Sequence, residues 1–130
     1  MFALLNVAHA LEDRLERSLG EVGLSGAKLG VLTHLVEAGE PLPLGILAER
    51  LSCVRSNITQ LVDRLEADGL VRRIDDPADR RAVKAEITAL GTARQSAGAA
   101  RLEAVQAEFS AALSGANRAA LGRALAALGP

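Results

Sequence analysis

Residues 44–88 carry the feature that most restricts the fold of this chain, a change in the spacing of apolar residues. Over about 44–51 and again over 54–68, apolar side chains recur every three or four residues, which predicts two short helices joined by a tight turn. Gly69 then ends the helical spacing, and over 83–87 apolar and charged residues alternate, as in a strand with one buried face. Two helices followed by a strand, a charged turn and a returning strand predict a winged helix-turn-helix.

Helical patterns flank this segment on both sides. A stripe of leucines predicts a first helix over about 2–20, and Ser25 and Gly39 are suited to begin and end a second. After the wing, a fifth helix is expected over about 89–113 and a sixth through Leu128. The expected fold class is therefore mostly α with a small β-wing, in the order α-α-α-α-β-β-α-α.

The composition favours one domain that would gain from a partner copy. The chain has 130 residues with two Phe and no Trp or Tyr, so a single domain over 1–130 has few large side chains for its core. Dimerisation would bury more apolar surface. No apolar run reaches the roughly 18 residues of a membrane span, and the start lacks the basic segment of a signal peptide. The single cysteine fits a reducing compartment, so a cytoplasmic protein is expected.

The charges are distributed unevenly along the chain. The net charge is −1 at pH 7, which is unusual for a strong DNA-binding domain. Between Arg72 and Lys84, however, five basic residues stand against three acidic ones, a local charge of +2 in the predicted wing. A dimer would present this basic segment twice, so modest rather than strong non-specific DNA binding is expected.

The second helix of the central pair has the composition of a DNA-recognition helix. With Ile58 on the buried side, the short polar residues near its beginning point outward, where they can reach base edges in the major groove. Cations near the wing tip can reach the adjacent minor groove. The residues predicted to contact DNA are Arg55, Ser56, Asn57, Thr59, Gln60, Arg73, Arg80 and Arg81. An ordinary solvated helix face is the alternative explanation for the polar residues on the helix.

These segments together resemble the MarR family of bacterial transcription regulators. The family's wing carries the signature D-x-R, five further residues, then L-T. Here the sequence runs Asp79, Arg80, Arg81, five further residues, then Ile87 and Thr88. The run LAERLSCVRSNITQLVDRLEADGLVRR resembles the family's helix-turn-helix, and LSGANRAALGRAL resembles its closing dimerisation helix.

The resemblance implies an obligate homodimer that reads a short inverted repeat in double-stranded DNA. Helices within 1–22 and 89–130 would interlock as dimerisation helices, and 25–88 would form the winged helix-turn-helix. Arg81 takes the position of the signature wing arginine, and Asp79 would brace it through an ion pair. The family commonly represses transcription and releases DNA when a small, often phenolic molecule binds between the dimer helices and the winged domain. The sequence does not indicate which residues would bind such an effector.

Two positions depart from the family pattern. Val54 stands where the family usually has a Ser or Thr that caps the recognition helix, so Ser52 is the expected cap instead. Ile87 replaces the signature Leu, a change that conserves side-chain volume.

Residues outside the motif give little support for chemistry at a site. Cys53 lies in the predicted turn between the third and fourth helices, where a small buried side chain fits. The alternative is a redox-sensitive thiol activated by the beginning of the recognition helix. His9 and His34, with no carboxylates at ligand spacing, make a poor metal site. No metal, cofactor or enzyme activity is expected.

Two classes of function stay open on the sequence. The net charge and the acidic residues Asp63, Asp68, Asp75 and Asp76 are compatible with a winged-helix protein-interaction module, a co-regulator or antirepressor without operator recognition. The favoured class is a homodimeric, sequence-specific DNA-binding transcription regulator, a repressor relieved by a small apolar or phenolic effector. It is favoured because the recognition helix and the basic wing occur together.

Overall fold

The computed structural model describes residues 2–113 and 115–129; the side chains of Phe2, Ala3, Leu4, Arg80, Arg81 and Ala116 fall outside this description. Within these ranges the elements in chain order are α1 (Phe2–Gly20), α2 (Gly26–Ala38), β1 (Leu42–Pro43), α3 (Leu44–Arg50), α4 (Arg55–Ala67), β2 (Val71–Asp76), β3 (Asp79–Ile87), α5 (Ala89–Ala111) and α6 (Gly115–Leu128). This order confirms the mostly α fold class with a β-wing. The short strand β1 is an element that the sequence did not predict.

Side-chain caps and one left-handed glycine set the helix boundaries around the winged segment. At the beginning of α2, the Ser25 hydroxyl accepts a hydrogen bond from the Lys28 amide at 3.2 Å. At the beginning of α5, the Thr88 hydroxyl accepts from the Gly91 amide at 3.0 Å and donates to the Gly69 carbonyl at 2.7 Å. Gly69 follows α4 with a φ of 76°, which glycine adopts without steric cost. Thr88 thereby ties the end of the wing to the end of α4.

The sheet is antiparallel and has the strand order β1-β3-β2. On the central strand β3, Ala85 pairs with Leu42 of β1 and with Arg73 of β2. The pairing of β2 with β3 becomes irregular between Asp75 and Asp76, and such a bulge increases the local twist. The hairpin of β2 and β3 is therefore a twisted two-stranded wing whose base is buried and whose tip is exposed.

The hydrophobic core lies between α2, α3, α4 and the base of the sheet, with the end of α1 against it. Its largest fully buried side chains are Leu19, Leu32, Leu35, Leu47, Ile58, Leu65, Leu70, Val31, Val62 and Val71. Burying each of them contributes about 1.5–3 kcal/mol relative to leaving it exposed. The core therefore fixes the position of α4 and of the base from which the wing extends.

The long helix α5 packs closely against this core at two glycines. A Cβ at Gly98 would lie 2.7 Å from Cδ1 of Leu24 and 2.8 Å from Cδ1 of Leu29. A Cβ at Gly91 would overlap the carbonyl oxygen of Leu70. Since protein interiors are close-packed, these two positions set the distance between α5 and the winged segment.

Helices α1 and α6 leave apolar side chains on the surface. Leu125 and Leu128 of α6 are 51% and 77% exposed, and Leu5 and Val7 of α1 are also exposed. Val7 and Leu125 border an apolar groove of about 520 Å³ between α1, α6 and the end of α5. Despite this apolar surface, no helix within residues 2–113 and 115–129 is both long and apolar enough to cross a membrane.

Candidate nucleic-acid interface

The turn between α3 and α4 determines where the recognition helix begins. The Cys53 amide donates to the Ala48 carbonyl at 2.8 Å, and Ser52 has a left-handed φ of 53°. Val54 is the N-cap residue of α4, and the structure gives it no side-chain cap hydrogen bond in the described part of the chain. The expectation that Ser52 caps α4 is therefore wrong, because its backbone takes part in closing α3. A helix beginning without a side-chain cap leaves backbone amides that can bind a phosphate.

The beginning of α4 presents polar side chains to solvent. Ile58, Val62 and Leu65 are fully buried, and their burial fixes the rotation of the helix about its own axis. The predicted DNA contacts Ser56, Asn57 and Gln60 are exposed outside this buried face, and Arg55 is exposed in the first turn of the helix. Thr59 differs from them, since it is half-buried and its hydroxyl donates to the Arg55 carbonyl at 3.0 Å. Contact of these side chains with DNA stays a prediction.

The wing tip is a tight turn at Pro77 and Ala78. The Ala78 amide donates to an Asp76 carboxylate oxygen at 2.9 Å, which is a common way for aspartate to stabilise a turn. Arg80 and Arg81 follow with their backbone in β3, and their side chains lie outside the described part of the structure. The bracing ion pair predicted between Asp79 and Arg81 is outside the description for the same reason.

Arg72 and Arg73 lie on opposite faces of β2, and both are ion-paired within the fold. Arg72 Nη2 lies 2.8 Å from a carboxylate oxygen of Glu86 on β3. Arg73 lies against α4, where its Nη2 is 2.5 Å from a carboxylate oxygen of Asp63 and 3.2 Å from the carbonyl oxygen of Thr59. The predicted DNA contact of Arg73 would therefore compete with contacts to the recognition helix.

The acidic residues of α4 and its C-terminal end have cationic or amide partners. Asp63 pairs with Arg73, and Asp68 pairs with Lys28 of α2 at 2.8 Å. A cation next to a carboxylate reduces the repulsion between that carboxylate and a phosphate. The helix therefore presents less negative charge than its sequence indicates.

Cys53 lies in the turn before α4, where the sequence places it, and is half-buried. Its thiol donates a weak hydrogen bond to the Leu51 carbonyl at 3.5 Å. A redox role for this thiol stays a prediction. Across residues 2–113 and 115–129, no group of three or more His, Cys, Asp or Glu side chains is arranged to hold a metal ion.

A cavity of about 270 Å³ lies between α1, α2 and α5. Its walls are mainly apolar, including Leu15, Leu29 and Leu102, and Thr33 and His34 supply polar atoms. The sequence did not indicate these residues, because no local motif marks an open cavity formed where three helices meet. Its size and composition suit a small apolar molecule with one polar group.

Comparison with known proteins relates the winged segment to one family. A family model described as the MarR family matches residues 22–82. The HTH-type transcriptional regulator PrsX of Escherichia coli is 35% identical over 82 residues, which are 62% of this chain and 49% of PrsX. The chain thus spans about half the length of that relative.

Solved structures are similar to nearly the whole chain. A MarR family transcriptional regulator from Rhodococcus is 25% identical with a TM-score of 0.80, over 98% of this chain and 89% of its own. CouR from Rhodococcus jostii, solved bound to p-coumaroyl-CoA, is 26% identical with a TM-score of 0.77 over the same shares. A cysteine-to-serine mutant of Escherichia coli MarR, complexed with operator DNA, has a TM-score of 0.81 over 98% of this chain and 91% of its own. At 22% identity that last comparison concerns the fold alone.

Proposed function

Because this chain belongs to the MarR family, we propose that it is a homodimeric, sequence-specific DNA-binding regulator of transcription. It would act in the cytoplasm as a repressor that a small-molecule effector releases from DNA. The observation that carries the proposal is the exposed polar face at the beginning of α4, held beside the wing by a shared core. The relatives are transcription regulators, which are not enzymes.

The proposed DNA contacts form two groups. The group that faces base edges in the major groove is Ser56, Asn57, Thr59 and Gln60 on α4. The basic group proposed to contact phosphates and the adjacent minor groove is Arg55, Arg80 and Arg81, with Asp79 as the brace of Arg81. Arg73 is left out of this group because its guanidinium is already paired with α4. Escherichia coli MarR, which has the same fold, was solved with operator DNA, and this supports the proposal that a protein of this fold can bind an operator.

The apolar surface of α1 and α6 supports the homodimer. In a single chain the groove that Val7 and Leu125 border faces solvent, and covering a leucine is worth about 1.5–3 kcal/mol. A twofold interface would bury each such residue twice. We therefore assign 1–22 and 89–130 as dimerisation helices and 25–88 as the winged part of a single domain over 1–130.

The cavity between α1, α2 and α5 is the candidate effector site. It lies between the helices assigned to the dimer and the winged part, and Thr33 and His34 could bind the hydroxyl or carboxylate of an otherwise apolar molecule. CouR, which has a similar structure, was solved with p-coumaroyl-CoA. A molecule that fills the cavity would shift α2 against α1 and α5, and this shift would carry the winged part with it.

A footprint of the purified protein on the DNA upstream of its own coding region tests the proposal. We expect protection of two half-sites about 10 base pairs apart. At least one compound in a panel of simple phenols and aromatic carboxylates should abolish this protection. Sedimentation of the same sample should give a dimer. A stable monomer that flows through heparin and protects no duplex at low salt would support the protein-interaction module instead.

A further inference from the structure

Arg73, at the base of the wing, contacts one side of α4 through both its side chain and its backbone amide. Its Nη2 lies 2.5 Å from a carboxylate oxygen of Asp63 and donates to the Thr59 carbonyl at 3.2 Å. Its backbone amide donates to a Glu66 carboxylate oxygen at 2.9 Å. Positions 59, 63 and 66 have the four-then-three spacing of one helix face. Arg73 therefore contacts α4 along about two turns of that face.

The surroundings of the Arg73 side chain favour a role within the fold. It is 30% exposed, against 69% for the side chain of Arg72. Its Nε is buried, with no hydrogen-bond partner among the described residues. A planar guanidinium that is partly dehydrated and bound at two points is held in one orientation. Arg73 is therefore less free than Arg72 to turn towards a phosphate.

The charge of Asp63 makes this attachment important for DNA binding. Asp63 lies on α4 about one turn after the exposed residue Gln60, and its side chain is 54% exposed. An unpaired carboxylate at this place would repel nearby phosphates. The contact with Arg73 neutralises that charge and at the same time links the helix to the wing.

A second attachment holds the far end of α4. Lys28 Nζ of α2 lies 2.8 Å from a carboxylate oxygen of Asp68, directly after the helix. Loss of the Arg73 contact would leave this attachment and the buried face of α4 intact. The helix would then stay folded and change its tilt relative to the wing.

We propose that Arg73 is a positioning residue for DNA recognition, which fixes the angle between α4 and the wing through Asp63, Thr59 and Glu66 and does not contact DNA itself. This inference rests on the proposed DNA-binding function. Two elements at a fixed angle can enter adjacent grooves together, so the correct angle favours contacts to base edges. Loss of the angle should lower specificity more than it lowers total affinity.

The experiment compares the full wild-type chain with four variants: D63N, R73Q, the double variant with both changes, and the control R72Q. The control removes the same charge from the neighbouring position on β2, where the partner Glu86 lies on β3 and not on α4. Affinity is measured for the duplex identified by the footprint and for a scrambled duplex of equal length and composition. Thermal melting reports whether each variant folds.

D63N gives the sharpest result, because the two explanations predict different effects on the ratio of operator to scrambled affinity. Removal of an acid alone would tighten binding to both duplexes, whereas loss of positioning should lower the ratio of operator to scrambled affinity about tenfold. R73Q should lower this ratio by a similar factor. The double variant should lose no more than either single one, because both changes break the same link. R72Q should leave the ratio within about twofold of the wild-type value.

A folded D63N protein that keeps the wild-type ratio overturns the inference, even if R73Q does not fold. The inference is also overturned if R73Q lowers the affinity ratio as much in the D63N protein as in the wild type. Such additive losses would mean that the two residues act independently. A wild-type protein that does not distinguish the two duplexes is a separate result. In that case the proposed function fails, and the inference fails with it.

Discussion

The winged segment and the terminal helices differ in how completely they bury their apolar side chains. Between α2 and β3, leucines such as Leu32, Leu47 and Leu65 are fully buried within the chain. On α6, Leu125 and Leu128 are exposed to 51% and 77%. A leucine repeat predicts a helix equally well in both regions. It does not indicate whether the leucines are covered within the same chain. In the winged segment these leucines are covered, and on α6 they are not.

The largest expected effect is on the terminal helices. Leu125→Asp places a charge in the groove proposed to be covered by the second copy, and should raise the dimer dissociation constant by about 100-fold or more. Sedimentation over a range of protein concentrations measures this. The control is Ile46→Asp on α3 of the winged segment, at an apolar side chain that is 37% exposed and does not line that groove. Equal dissociation by both variants, or by neither, would remove the distinction between the two regions.

The next effect concerns the stability of a single chain. Leu65→Ala leaves a cavity in the core beneath α4 and should lower the free energy of unfolding by about 3 kcal/mol. Leu128→Ala should change it by less than about 0.5 kcal/mol at concentrations where the protein is monomeric. Denaturant titration of both variants gives the comparison. Similar losses in the two variants would mean that α6 has an intramolecular core of its own.

Within the winged segment, the wing and the recognition helix should also be separable. Arg81→Ala should weaken binding about tenfold to every duplex and reduce the salt dependence by about one phosphate contact. Gln60→Ala should instead change the preference at one base position and leave the salt dependence unaltered. Competition binding with single-base variants of the operator measures both. An unchanged affinity and salt dependence for Arg81→Ala would show that the wing assignment is wrong.

The smallest effect is expected at Cys53. A half-buried thiol that donates only a weak hydrogen bond can be replaced by serine with little change. Cys53→Ser should leave operator affinity within about twofold of wild type, and peroxide should not release DNA from either protein. Release by peroxide in the wild type, abolished in Cys53→Ser, would establish the redox function instead.

Much of the fold could be predicted from local patterns. The caps at Ser25 and Thr88 and the turn at Gly69 depend on residues within a few positions of each other, so the sequence displays them directly. The strand β1 was missed, because a two-residue strand exists only through pairing with Ala85 and its neighbour in a distant segment. The prediction that Ser52 caps α4 was wrong, because Ser52 has a left-handed backbone conformation. No pattern of residues in the sequence indicated that conformation.

The candidate site divides in the same way. The exposure of Ser56, Asn57 and Gln60 follows from the helical period once Ile58 is buried. The partner of Arg73 could not be predicted, because Asp63 lies on another element and nothing in their spacing specifies contact. The close approach of Gly98 to Leu24 and Leu29 could not be predicted either. In a sequence, an isolated glycine within a helix indicates only a less stable helix until its neighbours are known.

The order of the six helices and the two wing strands and the location of the basic segment follow from the printed residues. They depend on interactions between residues a few positions apart. Such interactions appear in the sequence as a regular spacing of apolar residues or as residues typical of turns. Other features depend instead on residues far apart in the chain. They are the angle at which α4 meets the wing, the pairing of carboxylates at α4 with cations from other elements, and the leucines that stay uncovered. Packing of the core brings those residues together, so the three-dimensional arrangement was needed to identify them.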